Sequence, residues 1–238
     1  MENKEKILGV LGGIGPLATV YFMELLVRLT EADCDQGHIS CIVFNHASIP
    51  DRTGYILDST KPNPLPVMAE DARRLERFGA DLIVIPCNTA HYFYDQIQNS
   101  VSVPILNIIE EAVKYAAENV KGIKKIGVLA TKGTITVGTY QRACEKYGLE
   151  YAAPSLWDEQ SLMNIIYNQV KAGKKIDYDE FMRIVNNMLG DGCDAVILGC
   201  TELSVIHSDL ALSRPDVIDS MEVLARASIL QCGKEVKQ

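Results

Sequence analysis

The stretch Ala80-Asp-Leu-Ile-Val-Ile-Pro-Cys-Asn-Thr-Ala-His91 decides how the rest of the chain is read. Leu82 to Pro86 is the short apolar run of a buried strand, and Cys87 stands at its C-terminal end. Asn88 and Thr89 supply N-cap chemistry for a helix running through Tyr92, Tyr94 and Ile97. A thiol at such a corner lies near helix N–H groups, which lower its pKa and favour thiolate. The pattern returns at Gly192-Cys-Asp-Ala-Val-Ile-Leu-Gly-Cys-Thr-Glu-Leu203, which sets Asp194 against Asp81 and Cys200 against Cys87. One cysteine at a strand end is more often structural. Two at matching positions of a repeat point to chemistry.

Two further echoes occur in the same order. Lys125-Ile-Gly-Val-Leu-Ala130 repeats Ile7-Leu-Gly-Val-Leu-Gly12, and Glu222, after the strand Asp216-Val-Ile-Asp219, repeats Glu110. Strands alternate with helices throughout, which predicts parallel sheets with right-handed crossovers. The expected fold is α/β, with two similar lobes, each a parallel sheet flanked by helices. Residues 1–112 plus 217–238 form the lobe of Cys87, and 113–216 the lobe of Cys200. A pseudo-twofold relation would bring both thiols to one cleft. Ligands of such sheets bind beyond the C-terminal strand ends, which marks the 12–19 turn, the 45–54 loop, Cys87, the 131–134 turn and Cys200. His46 to Pro66 carries four prolines and reads as a long loop. Helices are expected near 158–172 and 178–189, and from the 131–134 turn to Tyr147.

Composition narrows the function classes. The chain has 238 residues, 47% hydrophobic and 23% charged, with a net charge of −8. An acidic chain without a basic cluster argues against a nucleic-acid partner. No apolar run reaches a membrane span, and Met1-Glu-Asn-Lys-Glu-Lys6 is unlike a signal peptide, so a cytoplasmic protein is expected. The seven cysteines are odd in number and scattered, without zinc spacing, so neither a disulfide framework nor a metal site is expected. Gly13-Ile-Gly-Pro-Leu-Ala18 matches the dinucleotide glycine pattern, but the next strand ends in Asn45-His46 rather than an acid. A turn that binds a small anion, or closes the corner, fits better.

Paired thiols suit inversion of a carbon centre without a redox cofactor, one acting as base and the other as acid. Like charges in a small pocket disfavour two thiolates, so one thiol should rest ionised and the other protonated. Gly12-Gly-Ile-Gly-Pro-Leu-Ala-Thr19, Ile49-Pro-Asp-Arg-Thr53, Pro86-Cys-Asn-Thr-Ala-His91 and Gly199-Cys-Thr-Glu202 together resemble the aspartate/glutamate racemase family, aspartate racemase branch. The DSGxGG motif usual in cell-wall glutamate racemases, and their His after the second Cys-Thr, are absent.

The resemblance implies cofactor-independent racemisation of aspartate or glutamate, with Cys87 and Cys200 on opposite faces of the α-carbon. It also implies Arg52 on a substrate carboxylate, where a guanidinium pairs bidentately, and Lys171, in Tyr167-Asn-Gln-Val-Lys-Ala-Gly173, as second cation. Asn88, Thr89, Thr131, Thr134 and Thr201 would form the hydrogen-bonding shell, with Glu202 beside the second thiol. His91 and Glu202 would support the thiols or satisfy backbone groups. Arg52 could instead be a plain loop residue, and Lys171 could complement a helix dipole. Relatives are commonly dimers, so the resemblance implies a homodimer acting on a small dicarboxylic amino acid. Maleate isomerase or hydantoin racemase chemistry at the same pocket, or dicarboxylate binding without catalysis, are the alternatives.

Overall fold

In a computed structural model, residues 5–237 are described; the expectation about the charged start falls partly on residues 1–4, outside them. The chain forms two compact units, Met1–Ile108 with Met221–Gln238, and Ile109–Ser220. The seams between these units fall at the first residues of two helices.

The first unit runs β1 (Leu8–Gly12), α1 (Pro16–Leu29), β2 (Cys41–Asn45), α2 (Arg52–Leu57), α3 (Leu65–Arg77), β3 (Leu82–Val84), α4 (Tyr94–Gln98) and β4 (Ile105–Leu106). Helix α5 (Ile108–Asn119) carries the chain across the seam. The second unit continues with β5 (Lys125–Ala130), α6 (Lys132–Thr136), α7 (Thr139–Lys146), β6 (Glu150–Ala152), α8 (Leu156–Asn164) and α9 (Tyr178–Gly190). It closes with β7 (Ala195–Gly199), α10 (Thr201–Asp209) and β8 (Val217–Asp219), and α11 (Ser220–Gln231) returns the chain to the first unit. Each unit holds one four-stranded parallel sheet, ordered β2-β1-β3-β4 and β6-β5-β7-β8. The two orders are the same walk through the repeat.

The central strands are apolar, apart from Lys125 at the start of β5, because helices cover both faces. Every residue of β1, β3 and β7 is buried, whereas edge strand β2 is half-exposed. Leu11, Ile83, Ile85, Met68 and Phe93 anchor the first core; Leu129, Val196, Leu198, Leu162 and Phe181 anchor the second. Truncating one such side chain, as in Ile83→Ala, costs about 2–5 kcal/mol.

The repeated aspartates are latches of the sheet rather than chemistry. Asp81 accepts from the Ile7 N–H at 2.9 Å. Asp194 accepts from the Lys124 and Lys125 N–H groups at 2.8 and 2.9 Å, which holds its carboxyl below the usual range. Cys193 has a comparable packing reason: a Cβ at Gly127 would lie 3.1 Å from its sulfur and 2.7 Å from Met188 Cε, so strand and helix close on a glycine.

Three expectations change in detail. The segment from 46 to 66 contains α2, because Asp51 caps it by accepting from the Gly54 N–H at 2.6 Å; the four prolines had masked that cap. The helix expected to Tyr147 is broken at Gly138, whose φ of 64° ends α6 and starts α7. Helix α8 passes into a π-helix, Ile165–Val170, shown by the five-residue step from the Lys171 N–H to Ile166 O at 3.0 Å. Among the described residues no helix is long and apolar enough to cross a membrane.

Candidate active site

The two cysteines and the threonines beside them follow the C-terminal ends of central strands, and each unit is built differently around its cysteine. In the first unit β3 ends at Val84 and the chain turns at once. The Cys87 N–H donates to Ile85 O at 2.7 Å, a tight turn centred on Pro86, whose fixed φ suits it. The chain then enters a 3-10 helix, Thr89–Phe93, and after it the short α4. Asn88 makes no side-chain cap to it, so the expected N-capped α-helix is corrected: five residues of 3-10 geometry offer Cys87 little dipole.

His91 occupies both nitrogens with backbone. Its Nδ1 lies 2.9 Å from Cys87 O and its Nε2 accepts from the Ile108 N–H at 3.3 Å. A carbonyl only accepts, so Nδ1 carries the proton and the ring is neutral. Burial pushes its pKa down to about 4, and the backbone acceptors Cys87 and Leu106 offset only part of that. His91 is thus no proton donor to the thiol; it holds the turn beneath it.

Arg52 begins α2, which packs against the 3-10 helix, with the Tyr55 and Phe93 rings 5.8 Å apart. The guanidinium is buried, not a plain loop group. Nη1 donates to Pro50 O at 3.0 Å and Ile49 O at 3.4 Å, while buried Nε has no hydrogen-bond partner among the described residues. A buried, incompletely satisfied guanidinium is a ready anion site. Asn88, Thr89 and Thr53 are buried in the same unit. His46 lies against buried Asp71 at 2.6 Å, as a packed residue. The glycine corner is closed from within: Thr19 Oγ1 accepts from the Gly13 N–H at 2.9 Å, and a Cβ at Gly13 (φ 87°) would lie 2.3 Å from the His46 backbone.

In the second unit Cys200 is the N-cap residue of α10. Its carbonyl accepts from the Leu203 N–H at 2.9 Å, so the helix itself satisfies it. The thiol donates to Glu202 Oε2 at 3.0 Å, and Glu202 Oε1 accepts from Lys171 Nζ at 2.6 Å. Burial and the Glu202 charge push the Cys200 pKa well above its ordinary value; Lys171 only partly opposes them. The expectation that a strand-to-helix corner favours thiolate is therefore reversed here, because desolvation and an adjacent carboxylate outweigh a nine-residue helix.

The π-turn ends at Lys171, which also stands 5.5 Å from the Tyr167 ring centroid. It is more than a dipole complement, since its ammonium is committed to Glu202 across 31 positions of sequence. Thr131 caps α6 by accepting from the Thr134 N–H at 3.3 Å, with the two hydroxyls 3.1 Å apart. Ala130 pairs with Gly199, so Thr131 and Cys200 stand just past neighbouring strand ends. Thr201 is buried beside them. Beneath lies a polar cluster that sequence reading missed: Ser204 donates to Asp219 at 2.5 Å, Ser220 donates to Leu198 O at 2.7 Å, and fully buried Tyr140 hydrogen-bonds Ser220. Asp219-Ser220 at the end of β8 was its faint signal.

Two units with one strand order, each ending a central strand in a buried cysteine, define an α/β class of internally duplicated proteins. The chain belongs to the Asp/Glu/Hydantoin racemase family, which matches residues 11–228. It is 31% identical to the Picrophilus torridus aspartate racemase, with a TM-score of 0.84 over 98% of this chain and 96% of that one. An aspartate racemase homologue from Pyrococcus horikoshii OT3 aligns at 28% identity and a TM-score of 0.75, covering 96% of this chain and 99% of that one. The broad specificity amino-acid racemase RacX of Bacillus subtilis (strain 168) is 28% identical over 94% of this chain and 96% of its own length.

Proposed function

We propose that the chain is a cofactor-independent racemase of aspartate, working through Cys87 and Cys200 as paired acid and base. The observation that carries this is the Cys200 thiol donating to Glu202 at 3.0 Å. A thiol kept protonated by burial and a carboxylate is a resting acid, which leaves Cys87 as the resting base. Cys87 takes the α-proton from one face and Cys200 delivers its own to the other. In the reverse direction the roles exchange: the Cys200 thiolate takes the α-proton and the Cys87 thiol delivers its own to the other face.

Two cations support a dicarboxylic substrate. Arg52 has an unsatisfied Nε for one carboxylate. Lys171 has three N–H donors, so one can hold Glu202 while another meets the second carboxylate. Thr131, Thr134, Thr201, Asn88 and Thr89 would donate to the carboxylate next to the α-carbon, where charge builds as the proton leaves. Glutamate is a longer substrate for the same groups. A wider range of amino acids is a second reading, favoured by the breadth in the name of the Bacillus relative. A homodimer completes the proposal; Leu17, Val20 and Val27 on α1, each more than half exposed, support a further contact there.

The test is a panel of single amino-acid enantiomers incubated without added cofactor and resolved by chiral chromatography. Aspartate should invert fastest. A protein that binds aspartate but inverts no amino acid would refute racemisation.

A further inference from the structure

We propose that His91 is a positioning residue for Cys87, fixing the backbone under the thiol through its Nδ1–H rather than exchanging protons with it. The inference rests on the racemase reading and goes beyond it, because nothing in the two-thiol chemistry calls for a histidine four residues after the first cysteine.

The repeat supplies an internal control. In the second unit the Cys200 carbonyl is satisfied by the Leu203 N–H, three residues on, within an α-helix. In the first unit the turn leads into a 3-10 helix instead, and the Cys87 carbonyl takes its hydrogen bond from the His91 ring at 2.9 Å. The position matching His91 is Ser204, which turns to Asp219. With the Cys87 N–H bound to Ile85 O, both backbone groups of the residue are held, one on each side of the side chain. Unpinned, the peptide after Cys87 could rotate and swing Sγ by a substantial part of an ångström, and a misplacement of about 1 Å costs on the order of 100-fold in rate.

His91 also begins a polar stripe, His91, Tyr94 and Gln98, facing edge strand β4. Tyr94 donates to Ile105 O at 3.0 Å; Gln98 accepts from the Ile105 N–H at 2.8 Å and donates to Val103 O at 3.1 Å. A purely structural role would make His91 one more seal on that edge, acting through its Nε2 and the Ile108 N–H. The two roles use different ring nitrogens, so they can be separated. Tyr94 and Gln98 keep the edge sealed when His91 changes.

His91→Asn places an amide N–H where Nδ1 is and keeps the Cys87 bond; His91→Gln places its amide near Nε2 and keeps the Ile108 bond. Positioning through Cys87 predicts kcat of the Asn variant within ~3-fold of wild type and of the Gln variant at least ~10-fold lower, with KM for aspartate little changed in both. A Gln variant that matches or exceeds the Asn variant overturns the proposal. The rate at which iodoacetamide alkylates Cys87, followed by peptide mass, is read in parallel. It should change in the Gln variant and not in the Asn variant, and equal rates in both overturn the proposal too. That second readout stands even if the wild type racemises nothing, an outcome that sinks only the functional reading. Should the Gln variant not fold, His91→Leu replaces it with the same expectations.

Discussion

The two cysteine turns share a strand order, a register and a repeated motif, yet they surround their thiols with opposite chemistry. Around Cys200 the partners are charged: a carboxylate on the thiol and an ammonium on the carboxylate. Around Cys87 the partner is neutral, an imidazole deprived of its charge by burial and spent on backbone groups. Duplication kept the scaffold, through Asp81 and Asp194 at the strand starts, while the surroundings diverged. The lesson is that symmetry of fold need not mean symmetry of protonation. On the proposed mechanism one thiol acts as base and the other as acid, and the carboxylate beside Cys200 favours its protonated form.

The comparison breaks most sharply by removing either sulfur. Cys87→Ala and Cys200→Ala should each lower racemisation by at least ~1000-fold, since each removes one of the two proposed proton carriers. Steady-state inversion of aspartate measures this. Near-normal turnover in either variant would end the two-thiol account.

A smaller effect sharpens the electrostatic half. Glu202→Gln removes the charge that favours the protonated thiol and leaves a weaker acceptor for it, while Lys171 remains. The Cys200 pKa should therefore fall. Alkylation of Cys200 followed against pH should move to lower pH, and an unmoved profile would remove Glu202 from the acid.

The least effect concerns the neutral partner. The folded protein holds His91 near a pKa of about 4, below the 6.5 of a free histidine. The unfolded chain thus gains a proton before the folded one, so stability present above pH 6.5 is lost as pH falls towards 4 and then levels. The loss from this group is at most about 3 kcal/mol. Urea melts at several pH values should show the gap between wild type and His91→Asn narrowing over that window; a constant gap would contradict a neutral, buried His91.

Much of this was legible in the sequence. Apolar runs ending in cysteine gave the central strands, and their repetition gave two like sheets. Ile49-Pro-Asp-Arg-Thr53 marked Arg52, although the prolines hid the small helix it begins. Pairings between distant residues could not be read. Lys171 and Glu202 lie 31 positions apart and meet because a π-turn aims the lysine, a feature without a residue signature. The raised Cys200 pKa came from burial and the neighbouring Glu202 carboxylate, against the pull of Lys171, and a helix-corner rule contains neither cause. His91 was visible as a polar group near a thiol, but its choice of backbone partners depended on the 3-10 turn.

The most direct test of the central claim is racemisation of L-aspartate in D2O, stopped at low conversion, with deuterium at the α-carbon measured separately in each enantiomer. Two thiols that do not share a proton predict deuterium in the D-aspartate formed and almost none in the remaining L-aspartate. Equal labelling of both enantiomers would mean a single acid/base, and would contradict the assignment of Cys87 and Cys200 to separate roles.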